Sequence, residues 1–129
     1  KRQEQFQKHF QEGMRHMRLG AMSDAEKELK MALKINPRAG YVYSALGNLY
    51  YKTGKLIDAT KAYVLATNVE PKDMTLKINL GMVYYRRRAF REALDVFKVI
   101  REQAEPNSQQ SLYAVKMTEK ILVENKPTL

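Results

Sequence analysis

The chain repeats itself every thirty-four residues. Gly13, Gly47 and Gly81 recur at that interval, as do Ala25, Ala59 and Ala93, and Leu29, Tyr63 and Phe97 keep the same register. Pro37 and Pro71 close the first two copies, and Pro106 closes the third one residue late. A period of this length, with small residues at fixed places, predicts stacked helical hairpins. One hairpin alone leaves an apolar face in water that only its neighbour covers. The expected fold class is therefore all-α, an α-solenoid of three helix-turn-helix hairpins plus a capping helix.

Apolar and small residues recur at three- and four-residue steps, which is the amphipathic-helix signature. The steps predict helix pairs at about 3–19 and 23–36, at 40–53 and 56–69, and at 74–87 and 90–103, with a seventh helix at about 108–124. Gly20 and Gly54 sit where the first two pairs reverse, because glycine reaches the left-handed conformation cheaply. Arg88 stands at the third such place, so that turn is expected to be strained or differently shaped. Ser23 with Glu26 reads as a capping box opening the second helix. Each proline pushes the residue before it out of helix and separates one hairpin from the next. In the seventh helix, apolar Leu112, Val115, Ile121 and Leu122 beside Lys116, Glu119, Lys120 and Glu124 suit a cap that covers the last repeat and shows water a polar face.

These positions resemble the tetratricopeptide-repeat family. The second copy matches best, with Tyr43, Leu46, Gly47, Tyr50, Gly54, Ala59, Tyr63, Ala66 and Pro71. The first copy keeps Gly13, Gly20, Ala25, Leu29, Ala32 and Pro37 but has His9 and His16 at aromatic positions and Glu12 at a leucine position. The third keeps Leu80, Gly81, Tyr84, Ala93 and Phe97, with Lys77 and Ile100 as departures. The resemblance implies a single domain over 1–129 with repeats at about 6–39, 40–73 and 74–107 and a cap at about 108–124. The chain opens at Lys1 without a leader and already in helical register, so it reads as a piece of a longer protein.

In that family the first helix of each hairpin lines a concave groove. The resemblance places Phe10, Met14, Met17 and Arg18 there from the first copy, with Gln7 and Gln11. Tyr41, Ser44, Asn48, Tyr51 and Lys52 come from the second, with Ala45. Ile78, Asn79, Met82, Tyr85 and Arg86 come from the third, with Thr75, and Tyr113 and Lys116 extend it from the cap. The aromatic and methionine side chains would form an adaptable apolar floor. Asn48 and Asn79 carry donors and acceptors suited to a peptide backbone. Arg18, Lys52 and Arg86 keep the thirty-four-residue interval and are expected as a basic row. Some family members clamp the carboxylate of chaperone tails with two lysines, two asparagines and an arginine. Asn48 and Asn79 match, but Ser44, Gln109 and Tyr113 stand where basic residues are required, so chaperone-tail binding is not expected.

The expected function is that of an adaptor, a module holding a peptide or partner-protein segment in the groove. The net charge of +9 gives the partner an acidic bias. The alternative reading is electrostatic binding of nucleic acid or an anionic membrane around Arg86, Arg87 and Arg88. Consecutive residues point around a helix, and the three repeats carry only +3, +1 and +3, so nucleic acid is disfavoured. No cysteine is present, which removes disulfides and thiolate chemistry. His9, Glu12 and His16 could share a face and hold zinc, but as residues at packing positions they read as packing histidines. No nucleophile triad and no phosphate-cradling loop is present, so neither catalysis nor a cofactor is expected. No apolar run approaches the roughly 20 residues of a membrane span. The compartment stays open with the cytoplasm favoured, and self-association is expected if the solenoid exposes apolar ends.

Overall fold

Seven α-helices make up the described part of the computed structural model, which covers residues 1–125. They are α1 (Arg2–Arg18), α2 (Met22–Ile35), α3 (Gly40–Lys52), α4 (Leu56–Val69), α5 (Met74–Arg86), α6 (Phe90–Gln103) and α7 (Gln109–Glu124). The periodicity places every boundary within one residue of these. The chain divides into two compact units, one of Lys1–Glu70 and one beginning at Pro71.

In the first unit α1 packs on α2 and α3 on α4, and the helix-helix crossing is made by glycine. A Cβ built on Gly13 would come within 2.8 Å of Leu29, and one on Gly47 within 2.4 Å of the Tyr63 ring. Gly81 and Phe97 repeat the arrangement in the second unit at 2.7 Å. The missing side chain lets the large residue sixteen positions later lie directly on the backbone. Ala25, Ala59 and Ala93 flank these crossings with no exposure at all. The core of the second unit joins Phe90, Ala93, Phe97 and Ile100 to Ala114, Met117 and Ile121 of α7.

The turns follow the glycines. Gly20 and Gly54 both have φ of +80°. Arg88 takes up the equivalent conformation with φ of +63°, so the third turn keeps its shape and accepts the cost of a Cβ there. Its guanidinium lies 5.0 Å from the centre of the Phe90 ring, a contact that offsets part of that cost. Asn36 and Glu70, each before a proline, leave the helical region.

Two local expectations are corrected. The second helix has no capping box, since its N-cap is Ala21 without a side-chain bond. The helix starts one residue early, which moves Ser23 inside the first turn. Glu26 instead accepts a 2.5 Å hydrogen bond from the Tyr50 hydroxyl and pairs with Lys30 at 2.9 Å, tying α2 to α3. The second correction concerns α7, which buries Ala114, Met117 and Ile121. Of the four apolar residues expected to face the last repeat only Ile121 does so, while Leu112, Val115 and Leu122 are exposed. The small Ala114 lets the helix approach closely, and residues two positions away along a helix lie on roughly the opposite side.

The hydrogen bond from Tyr50, then the pairing with Lys30, holds the Glu26 carboxyl below its ordinary value of 4.5. A carboxylate depressed by folding contributes stability above its unfolded pKa and loses it as pH falls through the lower folded value. Glu26→Gln should therefore cost about 1–2 kcal/mol in urea unfolding at neutral pH. That difference from wild type should close as the pH drops below 4.5. Gly47→Ala should destabilise by about 1–3 kcal/mol, because the Tyr63 ring is buried on every side and cannot retreat. Gly54→Ala has open space and should cost only the left-handed strain, about 1–2 kcal/mol. Chemical denaturation of the two variants checks both values.

Candidate interaction surface

The groove positions read from the sequence lie on the first helix of each hairpin, and the two units present them separately. In the first unit Phe10 stacks on Phe6 at 6.5 Å and meets the edge of Tyr41 at 5.0 Å. Tyr41 is half exposed in spite of these contacts, so an aromatic ledge from α1 and α3 faces solvent. Met14, Met17, Ser44 and Tyr51 are half-buried. Arg18 and Lys52 are exposed, and each is the last residue of its helix, as Arg86 is of α5. Their common interval thus has a local reason, since a cation there meets the partial negative charge of the helix C-terminus.

Asn48 is exposed, but its amide is already committed on one side. Its Oδ1 accepts a 2.6 Å hydrogen bond from the buried Tyr63 hydroxyl, while the amide nitrogen is the group left to serve as donor. Burial, with a smaller contribution from Tyr51 nearby, pushes the Tyr63 hydroxyl up to about 12. Tyr63 stays protonated and donating throughout the physiological range. The bond fixes the Asn48 rotamer and therefore the direction in which its nitrogen points. Sequence reasoning missed this because both residues have separate explanations at their own positions.

In the second unit Ile78, Met82, Tyr85 and Tyr113 pack on the edge of the core. The Tyr113 hydroxyl of α7 donates to the Met82 sulfur. Tyr85 turns to α7 as well, donating to both carboxylate oxygens of Glu124 at 2.9 Å, a bond that holds its hydroxyl above the ordinary range. Lys120 lies 5.7 Å from the same ring. Asn79 is half-buried. Between α5 and α7 opens a hollow of about 330 Å³ lined by Thr75, Ile78, Gln109, Gln110 and Tyr113. A larger open hollow of about 840 Å³ adjoins it, walled by residues 71–75 with Gln103, Ala104, Glu105, Ser108 and Gln110. Of the smaller hollow's lining, Thr75, Ile78 and Tyr113 are positions that the sequence reading assigns to a groove. Gln110 and the loop residues are not, because the repeat pattern says nothing about loops or about residues outside its signature.

Lys77 departs from the aromatic residue of the earlier copy yet performs its task. Tyr43 donates to the Pro37 carbonyl at 2.9 Å, and Lys77 bonds the equivalent Pro71 carbonyl. Lys77 reaches Gln103 as well, at 2.7 Å. His9 faces Glu28 at 2.6 Å, and His16 stands 3.9 Å from Glu12. Among the described residues no group of three His, Cys, Asp or Glu side chains could hold a metal ion. The arginine run is divided, with Arg87 over the Tyr84 ring at 5.8 Å and Arg88 over Phe90. No helix among the described residues is long and apolar enough to cross a membrane.

Solved structures share this backbone. The tetratricopeptide-repeat domain of Arabidopsis OM64 matches with a TM-score of 0.79 at 16% identity, over 93% of this chain and 98% of that one. Yeast Tom70 matches with a TM-score of 0.86 at 18% identity, over 95% of this chain but only 24% of its own. The chain has the tetratricopeptide-repeat fold. The Yersinia enterocolitica type III secretion chaperone SycD, solved with a peptide of the translocator YopD, matches at 0.81 and 14% identity, over 93% and 94% of the two chains. No protein-family model and no curated protein matches the sequence. The first and third tetratricopeptide-repeat copies depart from the signature at His9, Glu12, Lys77 and Ile100, and the backbone still forms all three hairpins.

Asn48→Ala would leave the Tyr63 hydroxyl without its acceptor and should lower stability by about 0.5–1.5 kcal/mol. Tyr63→Phe should remove most of that penalty in the double variant. A double-mutant cycle by thermal or urea unfolding measures the coupling.

Proposed function

We propose that this chain is a protein-interaction module that seats an extended or helical peptide segment and carries out no chemistry of its own. The observation that carries the reading is the hollow between α5 and α7, where an apolar floor from Ile78 and Tyr113 meets the amides of Gln109 and Gln110. That pairing matches what a peptide offers, side chains for the floor and main-chain N–H and C=O groups for the amides. The aromatic ledge of Phe10 and Tyr41 and the directed Asn48 amide supply contacts of the same kind in the first unit. SycD, of the same fold, was solved with a peptide bound, which supports the class of ligand.

The lining is neutral where a carboxylate clamp would need cations, since Gln109 and Tyr113 occupy those positions. The favoured ligand is therefore an internal segment held by its backbone and apolar side chains. Binding should weaken only modestly between low and moderate salt. Binding through several phosphates would fall by orders of magnitude over the same range.

Selection from a displayed library of random peptides, followed by fluorescence titration of the enriched sequences, tests the reading. Ile78→Glu should weaken such peptides at least tenfold, since it sets a charge against the apolar floor. Arg87→Ala should change affinity less than about twofold, since Arg87 is not among the residues lining the hollow. Equal affinity for Ile78→Glu and wild type would remove the hollow from the binding site. Tighter binding of a nonspecific oligonucleotide, abolished by the arginine substitution, would favour the electrostatic alternative.

A further inference from the structure

One place in the repeat is apolar in two copies and polar in the third. The residue after the crossing glycine is Met14, Asn48 or Met82, and the side chain packed on that glycine is Leu29, Tyr63 or Phe97. The amide occurs in the one copy whose packing residue carries a hydroxyl. Tyr63 is only 3% exposed, and a buried O–H needs an acceptor. Asn48 Oδ1 is that acceptor at 2.6 Å, so the interior decides which end of an exposed amide turns inward.

Reversing the amide would set its N–H2 group against the hydroxyl and take the acceptor away from the buried hydrogen. The nitrogen is therefore held on the branch that points away from Tyr63, and α3 presents a donor at residue 48. We infer, resting on the peptide-binding reading, that Asn48 donates to a main-chain carbonyl oxygen of the seated peptide and that Tyr63 is the positioning residue which keeps this polarity. A peptide N–H at the same point is excluded, because two donors would meet. Main-chain carbonyls are the acceptors that every internal segment carries, whatever its sequence. Met14 and Met82 offer only thioethers at the equivalent places, weak acceptors without a donor, and suit apolar side chains instead. The directional contact at Asn48 thus selects which peptide bond lies against α3.

The test takes the tightest peptide from the displayed library and measures its affinity through a double-mutant cycle on Tyr63→Phe and Asn48→Ala. Tyr63→Phe should fold, since Phe97 fills the same place over Gly81. It should weaken the peptide about three- to tenfold when Asn48 is present and leave affinity unchanged when Asn48 is alanine. A residue that only packs would cost the same in both backgrounds. By NMR, the side-chain N–H2 pair missing from Asn48→Ala should shift as the peptide is added to wild type. The coupling should survive each single alanine substitution in the peptide, because the main-chain carbonyl is common to all of them. Its loss with one such substitution would give the acceptor to that side chain and overturn the main-chain assignment. Tyr63→Phe without effect, an equal loss in both backgrounds, or an N–H2 pair that does not move overturns the inference, while sensitivity to Ile78→Glu leaves the peptide-binding reading standing. Failure of every peptide to bind wild type overturns both.

Discussion

Each hairpin depends on one steric fact, a glycine in its first helix directly beneath a large side chain of its second. Leu29, Tyr63 and Phe97 rest on Gly13, Gly47 and Gly81 so closely that no Cβ could stand between them. The crossing sets the distance and angle of the two helices, and the alanines at 25, 59 and 93 fit only because that distance is short. Once it is set, the rest of the repeat is determined in turn. The reversal must be tight, which calls for a left-handed residue at positions 20, 54 and 88. The apolar surface left over must be covered by the next element.

The crossing constrains size more than chemistry, and the copies exploit that freedom. Leucine, tyrosine and phenylalanine all fill the space beside the glycine. Tyrosine alone brings a hydroxyl, and in the second copy it reaches Asn48 and orients an amide on the exposed surface. A packing residue thereby fixes the direction of a surface amide. In the third copy Phe97 leaves that task undone, and its ring lies 6.2 Å from Tyr113 of α7 instead. Tyr43 and Lys77 show the converse, two unlike side chains bonding equivalent carbonyls, of Pro37 and Pro71, from the same place in the repeat. Repeat position decides which backbone group is within reach, and residue type decides what else the side chain can do.

The polar contacts of α7 follow from its place after the last hairpin. With Ala114, Met117 and Ile121 turned inward, Tyr113 and Glu124 fall on the flank that meets α5. That flank is also one wall of the hollow holding Gln109 and Gln110. One rotation of the helix about its axis therefore decides three things together: what the core contains, what the hollow presents, and which apolar residues are left outside.

The sequence by itself determined the element order, the boundaries and the turns, because all three are local. Helical periodicity, a left-handed glycine and the exclusion of helix before proline act within a few residues and leave their mark in the order of the chain. The residues on the first helix of each hairpin could be assigned to one face for the same reason, as the repeat carries that face forward every thirty-four residues. Only the tertiary structure decided which of two apolar faces α7 would bury. Taken together, Leu112, Val115 and Leu122 are bulkier and more hydrophobic than Ala114, Met117 and Ile121, and by hydrophobicity alone they are the better candidates. The core chose Ala114, Met117 and Ile121, because close approach of a helix rewards a small residue at the point of contact more than a large one beside it. The partners of Glu26, Asn48 and Tyr85 were decided in the same way. Each bond joins residues fifteen or more positions apart, and only the packing of helices brings such groups within reach of one another.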